Sequence, residues 1–243
     1  LFYFGAASSA HQVEGGQKND WTAWEARMAP RFARAASRKE WPAHILGGHP
    51  NPLEMENYRS GRAADHWNRY EEDFDIAKKL GHNAHRFSIE WSRVEPEEGK
   101  FDEAALAHYR EVVKALKKRK LEPFVTLWHF TLPEWAARQG GWESERTVAH
   151  FARYVGRVAA SLKDDVTFWI PLNEPEIYAH MAYLVGKWPP AAMNPLRTAS
   201  VLFRLARAHR AAYAVLRGIV PTAEIGIAKN HMYFEAVGKN QWN

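Results

Sequence analysis

Apolar residues change their spacing repeatedly along the chain, and the changes mark out alternating strands and helices. Short runs with strand character occur at Phe2–Ala7, Asn83–Trp91, Glu122–Trp128, Thr167–Asn173 and Glu224–Lys229. Between them the period lengthens to that of a helix. Leu106, Tyr109, Val112, Val113 and Leu116 form one such series, and Phe151, Tyr154, Val155, Val158 and Leu162 another. Asp65, Asp102 and Ser144 stand where helix N-caps are needed, and Gly81 where a helix should stop. Helices are therefore expected from Asp65 to about Leu80, after Asp102, after Ser144, and from about Thr198 to Arg217. The stretch from Gly15 to Gly61 mixes Pro, Gly and scattered aromatics without a period and is expected to be irregular. The tail from Asn230 to Asn243 has no clear pattern.

Strand–helix alternation that does not double back implies a parallel sheet with helices outside it, an α/β fold. No Gly-rich phosphate loop follows the first strand, which argues against a nucleotide-binding sheet. A complete eight-unit barrel is typically about 250 residues, so a chain of 243 looks sufficient. Counting units shows otherwise. Four strand–helix units and a fifth strand use the whole chain at about 50 residues each, and eight would need roughly 400. The expected architecture is a (β/α)8 TIM-barrel type, of which this chain carries about the first four βα units and a fifth strand. Residues 1–243 then form the N-terminal portion of a single barrel domain. Such a part leaves two strand edges. Val125 and Leu127, taken in phase with His129, are expected to face an incompletely filled interior. The chain is therefore expected to need a complementary C-terminal barrel fragment, or to self-associate, rather than to persist as an ordered monomer.

Composition adds limits. The chain is 46% hydrophobic, has 11 Trp and carries a formal charge of +5. Basic residues such as Lys114, Lys117 and Arg119 interleave with acidic ones on helices, which describes a solvated face and no nucleic-acid partner. There is no Cys, hence no disulfide and no thiolate metal site. No run is long and apolar enough for a membrane span, and LFYFGAASSA reads as a strand, not a leader. Leu1 is not a start Met, so the natural N-terminus is expected to lie elsewhere. The cytoplasm is the default compartment.

The segment Trp169-Ile170-Pro171-Leu172-Asn173-Glu174-Pro175 carries the chemistry. Asn173 and Glu174 fall at a strand's C-terminal end, and Pro175 blocks simple continuation of the ladder. A carboxylic acid beside an amide suits glycoside hydrolysis. The acid protonates the leaving oxygen, and the amide can hold a sugar 2-hydroxyl as charge develops at the anomeric carbon.

Four segments together resemble glycoside hydrolase family 1, the β-glucosidase and β-galactosidase type: FGAASSAHQVEG, NRYEEDFDIAKKLGHNAHRFSIEWSRVEP, EPFVTLWHFTLPEWA and WIPLNEP. The resemblance runs from Phe2 to about Asn230. It implies retaining hydrolysis of β-glycosidic bonds in a β-glycoside or oligosaccharide, without cofactor or metal. Carried over by residue, Glu174 resembles the general acid/base and Asn173 the 2-hydroxyl ligand. Gln12 and His129 resemble ligands of the non-reducing sugar, and Arg86 the arginine that keeps the nucleophile ionised. Arg86 could also pair with Glu90, its i+4 neighbour. Phe130 stands where the family usually has Trp, and loses an indole donor. Pro171 stands where it usually has Thr, and should bend the fourth strand. Retention also needs a second carboxylate about 5–5.5 Å from the first. In the family this lies in an E-N-G motif on the seventh strand, and no such motif follows Glu174. Glu56-Asn57-Tyr58 lies in the early stretch, away from any strand tip.

Two readings follow. One is the acid/base half of a retaining β-glycosidase, so that enzymatic activity of these 243 residues alone is left open. The other is a catalytically inactive carbohydrate-binding or assembly module with a partial barrel fold. A metal-dependent hydrolase is disfavoured because the 12 His show no H-E-x-x-H or similar spacing.

Overall fold

A computed structural model describes residues 2–231; most of the tail beyond Asn230 lies outside the described residues. Five parallel strands pair in sequence order: β1 (Gly5–Ala7), β2 (Ala84–Ser88), β3 (Glu122–Thr126), β4 (Phe168–Ile170) and β5 (Glu224–Ile225). Helices His66–Lys79, Glu103–Lys118, Glu145–Leu162 and Pro195–Ile219 form the four crossovers. A doubly wound sheet would reverse its strand order at a switch point. This one never does, and its four crossover helices share one core with the sheet, as in a barrel wall. One contiguous core joins Phe87, Val125, Leu127 and Trp169 of the sheet to Leu116, Phe151, Tyr154, Val158 and Leu205 of the helices.

The expected elements are all present, with differences at their ends. Every strand is shorter than its apolar run. Trp91 begins a helical turn, Trp91–Val94, instead of closing β2. β4 stops before Pro171, whose ring nitrogen cannot donate, and pairing resumes as a single bridge between Asn173 and Ala228. Asp102 caps its helix through Ala104 N (2.8 Å) and Ala105 N (3.0 Å). Asp65 and Ser144 occupy N-cap positions but cap nothing with their side chains. Asp65 sits at φ +57, and its carboxylate accepts from the side chains of Arg62 and Asn68 instead.

The stretch expected to be irregular contains a 17-residue helix, Asp20–Ala36. Its signals were weak. Pro30 sits inside it, and its buried residues are the small Ala29, Ala33 and Ala36. An Asn19–Thr22 capping box starts it. The chain then makes an excursion through residues 37–65 and returns beside its start, where Gly16 N donates to Gly61 O at 2.8 Å. Glu56-Asn57-Tyr58 lies in a 3-10 turn of this excursion, as expected.

Val125 and Leu127 are corrections. Both are 0% exposed and pack with the helices, not toward an unfilled interior. The phase set by His129 does not carry back into the strand, because strict alternation ceases at the end of β3, Thr126. The other face of the sheet carries Tyr3, Phe124 and Phe168, whose rings pack at 4.3–5.3 Å between centroids. Exposure falls instead on Phe2 (83%) and Phe4 (55%) beside edge strand β1.

The Tyr154 hydroxyl reaches from its helix to the carbonyls of Ile89 (3.2 Å) and Leu127 (3.0 Å), just beyond β2 and β3. Tyr154→Phe leaves those buried carbonyls short of a donor and should destabilise the fold by about 1–3 kcal/mol. Urea denaturation of both proteins at constant m-value measures the difference.

Candidate active site

The C-terminal ends of β2, β3 and β4 converge on one hydrogen-bonded chain. Arg86 of β2 donates through Nε to Thr126 Oγ1 of β3 at 2.9 Å and through Nη2 to Asn173 Oδ1. The other end of the same amide, Asn173 Nδ2, donates to His129 Nε2 at 3.1 Å. Because Arg can only donate, Asn173 must present its oxygen to Arg86 and its NH2 to His129. His129 Nε2 is then an acceptor, and the ring proton lies on Nδ1, which is buried and meets no acceptor among the described residues. Burial, reinforced by the positive charge of Arg86, pushes the His129 pKa down to about 3. The ring is neutral throughout the physiological range and cannot serve as a general acid there.

Arg86 does not pair with Glu90. Glu90 is buried and accepts instead from Asn19, Ser92 and Thr131. Burial lowers the pKa of Arg86 while the negative charge of Glu174 raises it. Arg86 stays cationic, as arginine does in proteins.

Glu174 follows Asn173 directly, at φ +41 and ψ +57, a left-handed conformation uncommon for a residue with a Cβ. Its N–H is held by Ala228 O at 2.8 Å, and Pro175 behind it opens a short helix, Pro175–Ala179. The segment just after β5 thus holds the backbone turn at Glu174.

Gln12 lies on a one-turn helix, Ala10–Val13, after β1. It is exposed, and its Oε1 accepts from Ser9 Oγ at 3.0 Å, which leaves its NH2 as a donor. Gln12 and His129 line one cleft of about 300 Å³ with Ser9, His11, Trp21, Glu25, Ser60, Phe130 and Thr131. Asn173 and Arg86 connect to that cleft through His129, whereas Glu174 does not line it. Phe130, at φ +76, keeps an aromatic wall: it packs on Trp188 at 4.9 Å, and Trp188 on Trp21 at 5.3 Å. The sequence reading passed over Thr126, Trp21, His11, Glu25, Ser60 and Trp188. The tryptophan count hinted at aromatic walls, but nothing local marked which indoles meet.

Among the described residues no group of three or more His, Asp or Glu could hold a metal ion, and no helix is long and apolar enough to cross a membrane.

The family model described as glycosyl hydrolase family 1 matches residues 1–242. Beta-glucosidase A of Thermotoga maritima is 32% identical over 242 residues, which are 99% of this chain and 50% of that protein. A 1,4-beta-D-glucan glucohydrolase of Thermotoga neapolitana is 31% identical over 99% of this chain and 53% of its own. Among solved structures, the family 1 b-glucosidase from Thermotoga maritima superposes with a TM-score of 0.82 at 30% identity, covering 99% of this chain and 50% of that one. A beta-glycosidase from Pyrococcus horikoshii reaches 38% identity and a TM-score of 0.78 over 94% of this chain and 47% of that one. The chain spans about half the length of the curated relatives it matches.

The neutral state of His129 has a consequence for stability. Its folded pKa lies below its unfolded value, so the unfolded chain binds the extra proton between the two. Stability from this group is complete above about pH 6.5 and falls as pH drops toward about 3, by at most ~1.4 kcal/mol per pH unit. His129→Gln should flatten the stability–pH curve in that window relative to the parent protein, measured by denaturant titration. Parallel curves would contradict the assignment.

Proposed function

The chain belongs to glycosyl hydrolase family 1, and on that premise we propose that it carries the acid/base half of a retaining β-glycosidase site. The observation that supports this best is the Arg86–Asn173–His129 hydrogen-bonded chain at the C-terminal ends of three adjacent strands, whose middle member, Asn173, directly precedes Glu174. Barrel enzymes assemble their chemistry at that end.

Glu174 is the proposed general acid/base. Protonated, it delivers its proton to the glycosidic oxygen as the leaving group departs; ionised, it takes a proton from the water that completes the reaction. Asn173 takes the sugar 2-hydroxyl, while His129 and Gln12 take hydroxyls further round the ring. Binding exchanges the Asn173–His129 bond for bonds to sugar. His129, neutral, contributes hydrogen bonds and no proton transfer. The nucleophile is a second carboxylate about 5–5.5 Å from Glu174, at which Arg86 favours the ionised form. We place it in further βα units beyond these 243 residues, in the same polypeptide or another. The strands at β1 and β5 then acquire partners, and a β-glycoside is the proposed substrate.

The test uses the chain assembled with the remaining βα units. Glu174→Gln should slow hydrolysis of glycosides with poor leaving groups by about 10²–10⁴-fold and those with activated aryl groups far less. Equal losses on both would refute the acid role. Sugar binding without turnover in the assembled parent protein would favour the inactive binding module.

A further inference from the structure

One wall of the cleft is organised around a histidine whose two ring nitrogens are both engaged, and Asn19 decides which of them carries the proton. Asn19 Oδ1 accepts from Thr22 N at 2.9 Å, while Asn19 N donates to Thr22 Oγ1 at 3.0 Å, at the start of helix Asp20–Ala36. With its oxygen committed to that cap, the amide NH2 faces His11 Nδ1 at 3.2 Å and Glu90 Oε1 at 3.3 Å. An NH2 group only donates, so Nδ1 is a bare acceptor and the ring proton sits on Nε2. Nε2 donates to Glu25 Oε1 at 2.8 Å. The second oxygen of Glu25 accepts from both N and Oγ of Ser60, each at 2.8 Å. His11 thereby links Gln12, the next residue in the chain, to the returning end of the 37–65 excursion.

The surrounding charges pull the other way. Burial lowers the pKa of His11, but Glu25, Glu90 and Asp20 outweigh it, and the net direction is up. Glu25 and Asp20 face the ring from helix Asp20–Ala36, Glu90 faces it from beyond β2, and Trp21 packs on it at 5.7 Å. If Nδ1 takes a proton from solvent, two donors meet across the Asn19 contact. Asn19 must then turn and release both Thr22 N and Glu90.

We propose that His11 is a positioning residue of the cleft: its neutral Nε2–H form holds the wall that carries Gln12 and Ser60, and its protonation loosens that wall through Asn19. The part of this that concerns sugar rests on the proposed glycosidase reading; the state of the ring does not.

Long-range ¹H–¹⁵N spectra of the histidine rings in the full chain, recorded between about pH 5 and 8, test it. At the upper end, His11 should carry its proton on Nε2 alone. Its titration should share a midpoint with loss of hydrogen-exchange protection at the Thr22 amide. Asn19→Asp keeps a good N-cap but replaces the amide donor by an acceptor. The His11 midpoint should rise there by more than about one unit. A proton on Nδ1 at the upper end, or an unmoved midpoint in Asn19→Asp, would overturn the proposal. In the assembled glycosidase, the acid limb of kcat/KM should move with the His11 midpoint. An acid limb that stays in place while the spectra shift overturns the positioning role. Absence of hydrolysis in the parent and the variant alike tells against the proposed reaction and leaves the ring assignment to the spectra.

Discussion

The side-chain amide of Asn173 has one acceptor end and one donor end, and among the described residues each meets one partner. Arg86 can only donate, so it claims the oxygen. The remaining NH2 must go to His129, which fixes that ring as a neutral acceptor. Three strands thus register their side chains on one amide. Thr126 holds the guanidinium from the adjacent strand, and the exchange with Ala228 holds the backbone of Asn173 and Glu174. The left-handed turn at Glu174 is tolerated because both sides of it are tied down: its N–H by β5's extension, and its following residue by the helix that Pro175 opens.

Beneath this layer lie carboxylates that few folds would bury without compensation. Glu90 is met by Asn19, Ser92 and Thr131. Glu14 is met by Arg93 at 2.8 Å, Tyr109 and Gln17, yet burial still pushes its pKa up to about 7. Asp20 is likewise pushed up to about 7 by burial while its carboxylate holds Leu132 N. These groups tie together the segment after β2, the start of the helix Asp20–Ala36 and the segment after β3, and Glu90 meets the cleft-lining Thr131. Their value is positional, since a buried polar network specifies one arrangement only when every member has its partner.

What could be read from the chain follows from how local each signal is. The helix Glu103–Lys118 announces itself by an apolar series and an Asp102 cap within one segment. Asn173 and Glu174 announce themselves by a motif of a few residues. The helix Asp20–Ala36 was missed because its buried face is alanine and Pro30 interrupts it. Val125 and Leu127 were turned to the wrong face because alternation was carried through a strand end. Asp65 and Ser144 have the right residue type in the right place, but other partners take Asp65's side chain. The His11–Glu25–Ser60 link spans 14 and 35 residues of separation and could be seen only once the excursion had returned on itself.

In the proposed function a retaining site is divided between two parts of a barrel, with the acid/base here and the nucleophile elsewhere. An intact-mass measurement tests this division most directly. The chain is assembled with the complementary βα units, incubated with an activated 2-fluoro-glycoside that traps the glycosyl–enzyme, and the two parts are weighed separately. The adduct should appear on the complementary part and not on this chain. A glycosyl adduct on any residue of this chain would contradict that division.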